Sequence, residues 1–279
     1  MTTTSEPNPH RQAGNEPPIV LIAPAMAIGS RYYTSLVDAF AECGWSARAL
    51  PRRGFEHGEA RASRRHDWSY QDEIDDIANA VAEARAQAPA RPVILLGHSL
   101  GAQLAAGYEL NHEGVDGFVT VGGSLPYHRN YPGFGLPIAA MAGLVVPVLT
   151  AAYGYLPKPA FGGPGARTLM REWARMVLTG RTPFPSSGRI GIPSLLVALE
   201  GDTLMPKRGV DAFAERVFEP SAVTRWDYLD KDVPPGGSND HITWVRTPGP
   251  VVDRVIGWWG RGAQKPDAQS DLLNMTVST

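Results

Sequence analysis

Cysteine is nearly absent from this sequence. Cys43 is the one thiol in 279 residues. An intrachain disulfide, a C-x-x-C motif and a cysteine-based metal cluster are therefore excluded. A count this low permits a reducing compartment. Charge of one sign is also scarce: 26 Lys and Arg stand against 28 Asp and Glu, for a formal net charge of −2. The overall basic excess of a typical nucleic-acid binder is missing, and no nucleic-acid partner is expected. Residues 1–18, MTTTSEPNPHRQAGNEPP, hold no apolar stretch and no basic segment ahead of one. They do not read as a secretory leader, so the expected location is cytoplasmic. Without such a leader, the Asn274-Met275-Thr276 spelling of a glycosylation acceptor reads as chance. The chain carries no Walker A motif, no G-x-G-x-x-G after a strand and no H-E-x-x-H. No cofactor and no metal are expected.

What is present is core-forming. Hydrophobic residues make up 43% of the chain, enough to bury a sizeable interior, and 30 Gly with 25 Pro indicate many tight turns. Apolar runs of strand length alternate with helical periodicity. Residues 18–23 are a continuous apolar run, followed by Tyr33, Leu36, Val37 and Phe40 at helical spacing. Strands are predicted at 45–50, 92–97, 115–121 and 194–199, and a half-exposed edge strand at 223–229. Helices are predicted between them, with a closing amphipathic helix through Val251, Val255 and Trp259. Strand–helix alternation of this kind implies a mostly parallel sheet covered on both faces. About six strands are expected. The division is a tail at 1–17, a core at 18–124 and 191–262, an inserted segment at 125–190 and a second tail at 263–279.

The insert breaks the rhythm. No charged residue lies between Asn130 and Pro157, and Leu136 to Leu156 is largely apolar. By length this is a transmembrane candidate. Pro137 and Pro147, with Gly135, Gly143 and Gly154, argue against one straight helix. No second apolar segment exists to return a span to its starting side. An apolar helical cap over a pocket is the reading adopted, with no transmembrane span; peripheral membrane contact stays open as the minor alternative. Enlarging Ala140 or Gly143 is expected to alter what that pocket admits.

One short motif carries chemistry. Gly97-His98-Ser99-Leu100-Gly101 spells G-x-S-x-G directly after an apolar strand and at the start of an apolar helix. A sharp strand-to-helix turn lifts the serine hydroxyl clear of the sheet, and the helix N-terminus lends positive potential. With Pro24-Ala25-Met26 at the end of the first strand, Gly201-Asp202-Thr203-Leu204-Met205-Pro206, and Asp240-His241-Ile242-Thr243-Trp244, the chain resembles the α/β-hydrolase superfamily. The resemblance covers about residues 18–262 and is to the esterase/lipase-like branch with a helical cap. That family usually begins with an antiparallel hairpin, for which little sequence precedes residue 18.

The resemblance implies a catalytic triad in the order Ser, acid, His. Ser99 is the nucleophile. His241, after the last strand, is the base; His98 inside the turn is read as packed or turned away. Asp202 is favoured as the acid over Glu200, and Asp240 adjoins His241 too closely to bond its ring squarely. Backbone N–H groups of Leu100 and Met26 would form the oxyanion hole. Relatives often have His-Gly where this chain has Pro24-Ala25, a change that backbone donors tolerate. The implied function is a serine hydrolase cleaving an ester or thioester, with a small-molecule substrate bearing an apolar acyl or alcohol group. Two other readings stay open: an acyltransferase or lyase using the same triad, and a non-catalytic ligand-binding protein. A homodimer is compatible with all three. Arg52, Arg53, Arg61, Arg64 and Arg65 crowd one loop, read as solvated and partly balanced by Glu56 and Glu59; contact with a phosphate or carboxylate on a substrate is the alternative left open.

Overall fold

A computed structural model describes residues 16–185 and 188–263. The expected tails at 1–17 and 263–279, with the Asn274 sequon, fall mainly outside the described residues. Eight strands are described: β1 (Ile19–Ala23), β2 (Ser46–Ala49), β3 (Val93–His98), β4 (Gly117–Val121), β5 (Tyr155–Leu156), β6 (Gly165–Ala166), β7 (Ser194–Leu199) and β8 (Val223–Tyr228). Six of them form one sheet in the order β2-β1-β3-β4-β7-β8, every pair parallel. No antiparallel hairpin precedes β1 among the described residues. The central strands β3 and β4 are buried along their whole length. That burial explains why their sequences are continuous apolar runs with no alternation. The edge strand β8 alternates partly, as expected from its half-exposed position.

The helices are α1 (Thr34–Glu42), α2 (Tyr70–Gln87), α3 (Leu100–Asn111), α4 (Gly135–Ala140), α5 (Val146–Tyr153), α6 (Arg167–Thr179), α7 (Lys207–Val217) and α8 (Gly249–Trp258). Two buried clusters lie on opposite sides of the sheet. One joins Leu21, Leu95 and Phe118 to residues of α2, α3, α6 and α7. The other joins Val20, Ile94 and Val119 to α1, Trp244 and α8, with Trp258 and Trp259. Strand side chains alternate between the two cores because successive residues of a strand face opposite ways. The start of α2 is fixed by a capping box, in which the Ser69 hydroxyl accepts from Asp72 N–H and the Asp72 carboxylate accepts from Ser69 N–H.

Between β4 and β7 the chain leaves the sheet and builds α4, α5, the β5–β6 hairpin and α6. One expectation is corrected here. The run through Pro137 and Pro147 is one continuous helix from Gly135 to Tyr153. A five-residue π turn, Met141–Val145, joins α4 to α5. Pro137 lies in the first turn, where its missing N–H costs nothing, and Pro147 is the second residue after the π turn. The wider turn relieves the clash that a proline ring makes with the carbonyl four residues back. Ile138, Ala142, Val146 and Thr150 are its buried stripe.

Two residues of the arginine loop are a second correction. Arg52 is buried and paired with the Glu73 carboxylate and the Pro24 carbonyl. Arg53 pairs with Asp76. Glu56 and Glu59 accept backbone N–H groups of Ser30, Arg52 and Gly54. They brace the loop; Arg52 and Arg53 find their counter-charges on α2, while Arg61, Arg64 and Arg65 are exposed. Spacing alone gives no sign of that partner, which comes from an element 20 residues on.

Candidate active site

The strand β3 ends at His98 and α3 begins at Leu100, leaving Ser99 alone to make the turn. Its φ of 54° and ψ of −116° are costly for a residue with a side chain. A bond from Ser99 N–H to the Val121 carbonyl, 3.0 Å, holds the strained turn to β4. Gly101 allows it: a Cβ there would collide with the backbone of Ala23 and Pro24. The three described non-glycine residues with positive φ are Ala27, Ser99 and Phe161. All three line one cavity of about 520 Å³.

His241 Nε2 lies 2.8 Å from Ser99 Oγ, and His241 Nδ1 lies 2.6 Å from Asp202 Oδ2. The other oxygen of Asp202 accepts the N–H groups of Leu204 and Met205, both at 2.8 Å. The side chains of His241 and Asp202 are 5% and 1% exposed, so water competes little for their bond. With Nδ1–H committed to the carboxylate, Nε2 is left as an acceptor for the serine proton.

Glu200 is exposed and accepts the Asp230 N–H at 2.7 Å, away from His241. Asp240 accepts from Ile242 and Thr243 N–H and from the hydroxyls of Ser238 and Thr243. Burial pushes the Asp240 carboxyl up, but these bonds outweigh it and hold the group well below the usual carboxylate range. Asp240 thus shapes the turn that presents His241. Sequence reading missed Gly122, whose φ is +59°. A Cβ at Gly122 would sit 3.1 Å from His241 Nδ1 and 3.3 Å from Asp202 Oδ2.

Met26 and Leu100 both border the cavity beside Ser99. The Leu100 N–H is the first of α3 and has no carbonyl within the helix to bond. Ala25 N–H is taken by the Tyr33 hydroxyl at 2.7 Å, while Met26 N–H has no protein acceptor among the described residues. Both amides thus remain available as donors at this end of the sheet.

The inserted segment supplies the rest of the wall: Phe134, Ile138, Met141, Phe161 and Trp173. Ala140 and Gly143, expected to face the pocket, are exposed on the far side of their helix. No Asp, Glu, Lys or Arg lines the cavity. Gln103, its one amide, has both ends engaged by Tyr70 and the Ser124 carbonyl.

A parallel sheet bearing a strained serine at a strand-to-helix turn, with histidine and carboxylate on later loops, defines the α/β-hydrolase class. The family profile "Serine aminopeptidase, S33" matches residues 15–224, and the chain belongs to that family of hydrolases. The match ends before His241. Comparison with curated protein sequences gives no match.

Solved structures resemble this one in fold at low identity. The metagenome-derived lipolytic enzymes LipS and LipT give a TM-score of 0.61 at 14% identity, covering 88% of this chain and 94% of theirs. A monoacylglycerol lipase of Paleococcus ferrophilus gives 0.56 at 17% identity, covering 87% and 96%. The protein BpoC of Mycobacterium tuberculosis gives 0.59 at 14% identity, covering 87% and 92%.

Proposed function

We propose that this chain is a serine hydrolase of the carboxylesterase or thioesterase type, acting on a neutral acyl compound with a medium-sized apolar group. In this reading Ser99 Oγ attacks the carbonyl carbon as its proton passes to His241 Nε2. Asp202 keeps the ring oriented and stabilises the imidazolium. The oxygen of the tetrahedral intermediate gains charge beside the N–H groups of Met26 and Leu100. His241 then protonates the departing alcohol or thiol, leaving an acyl-enzyme. Water, deprotonated by the same ring, attacks that ester and frees Ser99.

The observation that carries the substrate class is the uncharged lining of the cavity. A substrate with a free α-ammonium group would lose its hydration there without meeting a carboxylate, at a cost of several kcal/mol. The aminopeptidase chemistry in the family's description is therefore not the reading favoured. A neutral ester or thioester brings no such charge, and its apolar arm gains by contact with Phe134, Ile138, Met141 and Trp173.

The test is a paired substrate series: p-nitrophenyl esters and acyl thioesters of rising chain length against aminoacyl p-nitroanilides. Hydrolysis of the esters or thioesters is expected, with an optimum at intermediate length. Ser99→Ala should lower kcat by at least about a thousandfold and abolish labelling by a fluorophosphonate, with the fold retained. Preference for the anilides would overturn the substrate class, and a folded Ser99→Ala variant of near-normal rate would overturn the mechanism.

A further inference from the structure

Beyond its role as pocket wall, the helix from Gly135 to Tyr153 has a second face that nothing described covers. Ile138, Ala142, Val146 and Thr150 pack inward at every fourth position. The opposite face carries Leu136 at 84% exposure, Leu144 at 63% and Val148 at 55%. These three share one stripe, because residues three to four apart, or multiples of that, lie on one side of a helix. An apolar ridge of this kind is costly to leave in water.

The charge of the inserted segment is nearly all of one sign. Between residues 125 and 190 the sequence has seven basic residues and one acidic residue, in a chain whose net charge is −2. The acid, Glu172, is turned inward and accepts the Tyr70 N–H at 2.8 Å. Arg171 reaches over α5 to the Thr150 hydroxyl at 3.0 Å, and Arg175 is exposed one turn further along α6. Arg64 bonds the Ala152 carbonyl at 2.6 Å, near the end of the helix. Neither Arg171, Arg175 nor Arg64 has a carboxylate partner among the described residues.

We infer that this face docks on an anionic lipid surface, with Leu136, Leu144 and Val148 sunk among the acyl chains and Arg64, Arg171 and Arg175 at the headgroups. The helix spans 19 residues, about 28 Å, so length alone would let it cross a bilayer. Its inward stripe is committed to the protein core, and both ends run back into the same folded unit. An element so held lies in the plane of the interface. Phe134, just before the helix, is 57% exposed and also borders the cavity. The ridge and the cavity mouth are thus continuous, and a docked protein would open its cavity toward the lipid.

Docking needs no turnover, so it is tested apart from hydrolysis. The full chain is floated with vesicles of phosphatidylcholine alone and of phosphatidylcholine with about a third phosphatidylglycerol, at low and high salt. Binding to the anionic vesicles is expected, weakened by salt and equal for Ser99→Ala. The double variant Leu144→Asp/Val148→Asp should bind at least about tenfold less while keeping wild-type hydrolysis of a short soluble ester, which shows that it folds. Arg175→Glu should lose most of the preference for anionic over neutral vesicles, since each surface cation adds about fivefold. Absence of binding to anionic vesicles would overturn the inference, as would equal binding by the double aspartate variant. Equal binding to both vesicle types would overturn its electrostatic half. A dimer that the aspartate variant dissociates, with no vesicle binding, would assign the ridge to a second copy of this chain instead.

Discussion

The ring nitrogen Nε2 of His98 lies 2.7 Å from the carbonyl oxygen of His241. It can only donate there, so His98 carries its proton on Nε2 and accepts at Nδ1. Tyr33 Oη lies 2.8 Å from that Nδ1 and supplies the proton, while itself accepting the Ala25 N–H at 2.7 Å. The donors run in one direction, from the loop after β1 through Tyr33 and His98 to the backbone of His241. Trp244 Nε1, 3.3 Å from His98 Nε2, then meets a protonated nitrogen and serves as packing. Burial pushes the His98 ring down to about 3, which keeps it neutral throughout the working range.

This chain ties the proposed oxyanion loop to the proposed base. Tyr33→Phe removes one hydroxyl and leaves both Ala25 N–H and His98 Nδ1 unpaired in a buried place. Stability should fall by about 1–3 kcal/mol in urea titrations. Ester turnover should fall about tenfold in kcat with KM little changed, because the loops shift against each other while the cavity walls remain. A loss of stability with unaltered kcat would make the chain purely structural.

The two candidate acids can be separated directly. Asp202→Asn should lower kcat by at least about a thousandfold, because the amide holds the ring in the wrong tautomer and cannot balance the imidazolium. Glu200→Gln should change kcat by less than about twofold, since Glu200 bonds Asp230 N–H at an exposed position. The reverse ranking in steady-state assays would move the acid to Glu200.

Side-chain bulk inside and outside the cavity should have opposite consequences. Met141 borders the cavity, whereas Gly143 is exposed on the outer side of the same helix. Met141→Trp should shift the chain-length optimum toward shorter acyl groups. Gly143→Leu should leave the optimum in place and raise helix stability slightly, since glycine costs about 1 kcal/mol inside a helix. Kinetics across the ester series, with melting temperatures for both variants, decide the matter.

Stability should also carry a pH signature from Glu109. Burial raises its carboxyl from 4.5 to about 7, against the pull of the Val115 N–H and Arg85. The folded state therefore holds the proton at pH values where the unfolded chain has released it. Its contribution is most favourable below about 4.5 and is lost as pH rises toward 7. Glu109→Gln keeps an acceptor for Val115 N–H but does not titrate. The variant should gain on wild type in urea titrations as pH rises from 5 to 8, and an unchanged difference would count against the shift.

Much of the architecture was legible in the amino-acid order. Largely apolar runs at β3 and β4 announced buried parallel strands, because both faces of such a sheet are covered and favour apolar side chains. G-x-S-x-G after a strand announced the turn at Ser99, because only that spacing leaves room where α3 crosses the end of β1. Asp202 and His241 were legible through resemblance, by their loops' wording. The cap helix was misread because Pro147 looks like a break until the π turn makes room for it, and a π turn has no local spelling. The direction of Ala140 and Gly143 followed from which stripe packed inward, a matter of register against α6. Arg52 looked solvated because its partners, Glu73 and the Pro24 carbonyl, come from other elements. Local order thus set the strands, the helices and the turn at Ser99, since these depend on neighbours in sequence. Tertiary structure alone decided which face of the cap meets the cavity, which charges are buried, and that Tyr33 and His98 bridge two loops, since each depends on packing between distant segments.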